Sequence, residues 1–208
     1  GGIKKILVSD DGRGIGEQYL EKAVQKHATS KMHSVSLKNI NSLGFRGEAL
    51  YAIANASELT IISRNKEMTE ARELKVLFGK VIKNTPAKGN YGTTVIVEDL
   101  FKKLPVRRKF LNTDRAEGLA IKNLIKKIAL AYPAITFIFI EDGKEKLLLL
   151  GDRADKAEKK RIGEIIGLDF LTSSIYISNV SNEFSIRLYA SIPTFNKANW
   201  QQSAVIIN

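Results

Sequence analysis

The chain contains no cysteine among its 208 residues. Disulfides, thiolate metal sites and a cysteine nucleophile are thereby excluded. Histidine is nearly absent as well, with only His27 and His33, which argues against a zinc site. Long apolar runs are missing. The longest, at residues 135–140, is strand-sized, far short of the ~20 residues that a membrane-spanning helix needs. The first ten residues read as a basic, strand-like segment and carry no signal-peptide pattern. There is no G-x-x-x-x-G-K-[ST] string, so any nucleotide site here is built on something other than a P-loop. No internal repeat or low-complexity tract is found.

What is present is positive charge on a chain with enough apolar residues (44%) for a core. Lysine and arginine total 33 against 22 acidic residues, a net charge of +11 that suits a polyanionic partner. The excess is concentrated. Residues 102–127 hold nine basic side chains (Lys102, Lys103, Arg107, Arg108, Lys109, Arg115, Lys122, Lys126 and Lys127) against Asp114 and Glu117, a net +7. Such a window is either a solvated face or a surface for a phosphate backbone.

Periodicity places the elements. Residues 3–8 read as a strand, and 17–27 as a helix because Leu20, Ala23, Val24 and His27 recur at i, i+3, i+4 and i+7. Residues 28–43 are loop-like, and a short helix follows at 48–55 with Leu50, Ile53 and Ala54 on one face. Strands are expected at 58–64, 73–82 and 93–99, and a long helix at 114–131, capped by Thr113 or Asp114 and closed by Pro133. The runs 135–140 and 145–150 form a hairpin about Glu141-Asp142-Gly143-Lys144. A charged linker, 152–161, leads into a helix near 158–166 ending at Gly167. Strands follow at 174–180, 183–190 and 204–207. The expected class is α+β, with an antiparallel-rich sheet covered by helices on one face.

Several short motifs can carry chemistry. Asp10-Asp11-Gly12-Arg13-Gly14-Ile15-Gly16 follows a strand and precedes a helix. A carboxylate at a strand's end can accept a hydrogen bond from an exocyclic amine, and glycines allow a ligand close to the backbone. Alone, Asp-Gly after a strand is more often just a turn. Gly44-Phe45-Arg46-Gly47 precedes a helix start, where free backbone N–H groups and the helix dipole suit an anion, with Arg46 adding charge. By itself it also reads as a tight turn. Thr29, Ser30 and Lys31 offer hydroxyls and an ammonium to a phosphate, or else end a helix. Thr93 opens a strand, where it either bonds a ligand or merely favours the strand.

In order, these strings resemble the MutL family of DNA mismatch-repair ATPases. The matching pieces are D-x-G-x-G-I (Asp10, Gly12, Gly14, Ile15), His-Ala-Thr-Ser-Lys at 27–31, Gly-Phe-Arg-Gly-Glu-Ala-Leu at 44–50 and Gly-Thr-Thr-Val at 92–95. They continue into Asp-Leu-Phe-Lys-Lys-Leu-Pro-Val-Arg-Arg-Lys-Phe-Leu at 99–111. The 44–50 string is the most specific; D-x-G-x-G is shared across the GHKL superfamily. The resemblance implies a GHKL (Bergerat) two-layer α/β sandwich over 1–153, then the start of a ribosomal-protein-S5-like domain over 154–208.

The same resemblance implies ATP with Mg2+ as cofactors. Asp10 would bind the adenine amine, shaped by Gly12, Gly14 and Ile15, with Thr93 helping to hold the base. Thr29, Ser30 and Lys31 would lie along the nucleotide. Leu43, Gly44, Phe45, Arg46, Gly47, Glu48, Ala49 and Leu50 would form the lid. The family's catalytic glutamate and magnesium-binding asparagine are expected upstream of Gly1, so neither a catalytic nor a metal residue is assigned within this chain. Expected partners are DNA, a MutS-type mismatch-recognition protein, and a second subunit that is either identical or a paralogue; no membrane is expected. Lys102, Lys103, Arg107, Arg108 and Lys109 are the candidates for DNA contact. The expected location is cytoplasmic and nucleoid-associated in a prokaryote, or nuclear in a eukaryote. Alternatives are a non-catalytic DNA-binding scaffold and another GHKL enzyme such as a type II topoisomerase subunit.

Overall fold

The computed structural model of the chain describes residues 1–26, 47–182, 184–195 and 204–207. The chain forms two compact units, Gly1–Glu117 and Gly118–Ile207.

The first unit is built on a five-stranded sheet of order β1-β5-β2-β3-β4, every neighbouring pair antiparallel. Its strands are β1 (Lys5–Asp10), β2 (Glu58–Arg64), β3 (Ala71–Leu77), β4 (Lys80–Ala87) and β5 (Gly92–Glu98). Side chains alternate across β2, so Leu59 and Ile61 are fully buried while their neighbours are only partly covered. Helix α1 (Glu17–Leu20), a 3-10 turn (Lys22–Val24) and helix α2 (Ala49–Ala56) close that face. They contribute Leu20, Val24 and Ala54 to a core shared with Leu59, Ile61, Leu74, Val76 and Val97. Each fully buried Leu, Ile or Val contributes roughly 1.5–3 kcal/mol. Leu50 and Ile53 pack at the edge of this core, as the spacing along α2 predicts.

Three elements differ from the sequence expectation. The helix expected over 17–27 is two short pieces, and the chain is already extended at Gln25 (φ −89°, ψ 153°). Leu20 and Val24 are buried as predicted. However, the N-cap is Gly16, which has no side chain to satisfy the first N–H groups, so burial of two anchors holds the segment without a long helix. The strand expected over 73–82 is a hairpin, β3 and β4, turning at Phe78 (φ 47°) and Gly79 (φ 88°). Positive φ at both central residues suits the twist of a two-residue hairpin, but at a phenylalanine it costs about 1–2 kcal/mol. Tertiary bonds offset that cost: the Phe78 N–H donates to the Ser57 carbonyl (3.0 Å) and the Gly79 N–H to the Ala54 carbonyl (2.8 Å). The Phe101 N–H likewise donates to the Ala56 carbonyl (2.8 Å), so α2's last carbonyls are capped by loops from elsewhere in the unit. Residues 204–207, expected as a strand, form none among the described residues. A strand exists only through a partner's ladder.

After β5 come the short helix α3 (Pro105–Arg108) and the long helix α4 (Asp114–Ala131). The Thr113 hydroxyl caps α4 by accepting from the Ala116 N–H at 3.3 Å. Backbone and side-chain N–H groups of Asn112 both donate to Glu117 (2.9 Å each), which holds its carboxyl below the usual glutamate range.

The second unit carries the hairpin β6 (Phe137–Glu141) and β7 (Lys144–Leu149), turning at Asp142-Gly143 as expected. Helix α5 (Ala157–Ile165), helix α6 (Leu168–Thr172) and the hairpin β8 (Ser174–Val180) and β9 (Ser185–Ser191) follow. The segment 152–161 is not simply a linker, because its second half is α5, with Ala157 and Arg161 buried. The Arg161 guanidinium donates to four backbone carbonyls, those of Ala129 (3.1 Å), Pro133 (3.2 Å), Ile135 (3.0 Å) and Leu150 (2.8 Å). One side chain thus joins the end of α4, the following turn, the approach to β6 and the exit of β7. Arg161→Met is expected to take the side-chain donor from the Ile135 and Leu150 carbonyls, while those of Ala129 and Pro133 keep the Tyr132 and Asp152 N–H groups, and to lower stability by about 3 kcal/mol. Urea unfolding of the variant, followed by far-UV circular dichroism, measures this; an unchanged midpoint would contradict it.

Candidate functional site

The register of the sheet assembles the site. Across β1, β5 and β2 the residues facing the helices form successive rungs: Ile6, Val97 and Leu59; then Val8, Val95 and Ile61; then Asp10, Thr93 and Ser63. Directly opposed residues of antiparallel strands put their side chains on one face, about 4.5–5.5 Å apart at Cβ. Two rungs are apolar. The third replaces them with a carboxylate and two hydroxyls, where β1 and β2 end and β5 begins.

Hydrogen bonds lock this rung to the loop that follows β1. The Asp10 carboxylate accepts from the Gly12 N–H at 2.9 Å. The Ile15 N–H donates to the Ser63 hydroxyl at 2.8 Å, and that hydroxyl also contacts the Gly92 carbonyl (3.0 Å) and the Thr93 hydroxyl (2.9 Å). Gly14 has φ +71°, and a Cβ there would overlap the Arg64 carbonyl oxygen. Gly92, at φ +106°, has no room for a Cβ beside the Asp10 carbonyl. The glycines are thus required where the loop is pressed onto the ends of β2 and β5. On the opposite face, Ser9 and Thr94 share a hydroxyl hydrogen bond of 2.8 Å. Arg64 stacks over the Tyr91 ring, 4.6 Å from its centroid.

Asp10 and Thr93 are therefore brought together by β-pairing, and the loop carrying Gly12, Gly14 and Ile15 is fastened beside them by hydrogen bonds. Gly47 (φ +63°) leads into α2, whose N-cap, Glu48, has no side-chain capping hydrogen bond. Ala49 and Leu50 form its first turn. Thr29, Ser30, Lys31, Leu43, Gly44, Phe45 and Arg46 lie outside the described residues. Ser63 is the residue that sequence reasoning missed. Its signal was present: a serine stands where the alternation of Leu59 and Ile61 calls for another apolar residue, and it is 1% exposed.

A cleft of about 350 Å³ lies beside this loop, between Gly16–Gln18 and the turn from Asn65 to Arg72. Asp10, Gly12, Gly14 and Thr93 do not line it. Glu17, Glu67 and Glu70 do, against Arg72 alone, which pairs with Glu17 (2.6 Å), a net negative lining that disfavours phosphate. Among the described residues no group of three or more His, Asp or Glu side chains is placed to hold a metal ion.

The basic candidates sit after β5. Lys102 is engaged by Asp99 (2.6 Å), whose hydrogen bond and charge raise the ammonium pKa. Lys103 lies over the Phe78 ring, 4.3 Å from its centroid. Arg107, Arg108 and Lys109, at the end of α3, are exposed and form no ion pair among the described residues.

No family model matches the chain. It is 42% identical over 209 aligned residues to the DNA mismatch repair protein MutL of Rickettsia bellii, covering 100% of this chain and 34% of that protein. The chain thus spans about a third of the length of the curated relatives it matches. Among solved structures it is similar to the Aquifex aeolicus MutL ATPase domain complexed with ADP (30% identity, TM-score 0.65, 85% of this chain and 60% of that one). The ATPase region of Saccharomyces cerevisiae topoisomerase II bound to ICRF-187 shares the fold alone, at 13% identity and TM-score 0.56, over 86% of this chain and 47% of that one.

The two loop glycines make a paired test. Gly14→Ala combines an unfavourable φ with a clash against backbone, so it is expected to cost about 1–2 kcal/mol or more and to speed amide exchange at Ile15. Gly12→Ala meets only the movable Asp10 carboxylate and is expected to cost less. Equal effects of the two on exchange and thermal unfolding would contradict the loop geometry.

Proposed function

This chain belongs to the MutL family of DNA mismatch repair proteins, with a GHKL-type ATPase fold, and on that footing we propose that it supplies the adenine-binding part of an ATP site. The observation that supports this most is the polar rung of Asp10, Thr93 and Ser63 with the D-x-G-x-G-I loop fastened to it. One oxygen of Asp10 is taken by the Gly12 N–H, which orients the carboxylate and leaves the other to accept from an exocyclic amine. The fixed loop brings backbone, rather than side chains, close to the ligand. Thr29, Ser30 and Lys31 would run along the nucleotide, and residues 43–50 would close over the phosphates, their backbone N–H groups facing negative charge.

ATP hydrolysis in the full protein would follow once water is activated by a general base. The described residues bind and orient, and none is assigned that base. Among the described residues no group of three or more carboxylate or imidazole side chains is placed to hold a magnesium ion. Nucleotide binding would order residues 43–50 and favour pairing of two such regions, identical or paralogous, into a clamp on DNA that signals to a MutS-type partner. A ligand shifts such an equilibrium only by contacts it makes in one state and not the other. Residues 1–153 would form the ATP-binding domain, and 154–208 would begin an S5-like domain.

Asp10→Asn keeps the shape of the side chain but loses the charge-assisted acceptor. It is expected to weaken ATP binding to the full-length protein by roughly ten- to a hundredfold. Displacement of a fluorescent ATP analogue measures this; failure of the wild-type protein to bind ATP would overturn the reading.

The exposed Arg107, Arg108 and Lys109 support a DNA-contacting surface, and a scaffold that binds DNA without nucleotide is the second reading. Reversing all three charges is expected to weaken DNA binding and to flatten its log-log salt dependence by roughly 0.9 for each phosphate that is no longer neutralised. Anisotropy titrations at several salt concentrations read both. An unchanged affinity and slope would remove this surface from the proposal.

A further inference from the structure

The buried hydroxyl of Ser63 has three neighbours: the Ile15 N–H (2.8 Å), the Gly92 carbonyl (3.0 Å) and the Thr93 hydroxyl (2.9 Å). A serine hydroxyl has one proton to give and two lone pairs with which to accept. The Ile15 N–H can only donate, so it takes one lone pair. The Gly92 carbonyl can only accept, and Gly92 is buried, so the serine proton goes to it. One lone pair of Ser63 remains, and it faces Thr93. Filling it requires that the Thr93 proton point inward, at Ser63. With Ser63 1% exposed, water does not replace any of these partners.

The consequence appears on the outer side of the rung. With its proton turned inward, Thr93 presents only lone pairs to a ligand. Beside it, Asp10 has one oxygen engaged by Gly12 and presents the other. The two opposed residues thus form an edge that accepts twice and donates nowhere. We infer that Ser63 is a positioning residue that makes Thr93 a hydrogen-bond acceptor and thereby selects a base with an exocyclic amine over one with a carbonyl at that position. Adenine meets the edge with the two N–H groups of its amine, whereas guanine would bring a third acceptor, its O6. The inference rests on the nucleotide-site reading above and adds base selectivity to it.

The test compares ATP and GTP affinities of the full chain, by competition against a fluorescent ATP analogue. The variants are S63A, S63C, T93V and S63A/T93V. S63A removes the inward acceptor; S63C nearly keeps the volume but accepts weakly, and serves if S63A does not fold. Either is expected to reduce the preference for ATP over GTP by roughly tenfold, because the freed Thr93 hydroxyl can turn its proton toward O6. In the T93V background, adding S63A is expected to leave the preference unchanged. Equal weakening of ATP and GTP by the Ser63 variants, with their ratio intact, would show a merely structural serine and overturn the inference. So would a full S63A effect on the ratio persisting in T93V. If D10N weakens ATP binding while the Ser63 variants leave the ratio intact, only this inference fails. If D10N has no effect, the nucleotide-site reading fails and carries this inference with it.

Discussion

One buried serine fastens the loop after β1 to the paired ends of β2 and β5. Ser63 stands in the same face of β2 as Leu59 and Ile61, one rung beyond the apolar core. A polar group in that position is costly unless every hydrogen-bonding atom finds a partner. Its three partners come from two separate places: the loop after β1 and the first two residues of β5. The requirement to satisfy one hydroxyl therefore ties the D-x-G-x-G-I loop to the sheet. Gly14 and Gly92 are where that closeness leaves no room for a side chain.

The apolar rungs set the polar one. Pairing of Ile6, Val97 and Leu59, and of Val8, Val95 and Ile61, determines the register of β1, β5 and β2. A slip of one residue would turn all of these side chains to the other face. Once the core is in register, Asp10 has no alternative but to stand opposite Thr93. Packing energy spread over the sheet thus becomes positional accuracy at its end, where a ligand would be recognised. Arg161 plays a comparable part within the second unit, joining four carbonyls that no regular ladder reaches.

Some elements could be read directly from the chain. The strand at 58–64 and the helix at 114–131 coincide with the observed β2 and α4, because period and capping are local signals. The Asp142-Gly143 turn was legible for the same reason. The Phe78-Gly79 turn was not. Its positive φ values are held by carbonyls of Ala54 and Ser57, which are distant in sequence, and a phenylalanine gives no local sign of a turn. The helix expected over 17–27 failed in the opposite sense: its apolar spacing was right, but spacing says which side is buried, not how long the helix continues. In the candidate site, Asp10, the glycines and Thr93 could be named from their motifs, whereas Ser63 stood as one hydroxyl in a strand with no motif around it.

By itself, then, the sequence determined the residue types and the local conformations that they allow: a carboxylate at a strand end, glycines where φ must be positive, and an alternation that buries one face. It also carried the family likeness, since the order of short strings along a chain is a property of the chain. Only the tertiary structure decided that Asp10, Thr93 and Ser63 form one rung, and that the loop after β1 is fastened to it. Both depend on partners that lie tens of residues apart, and those partners meet only when β1, β5 and β2 pair in the register that the core enforces.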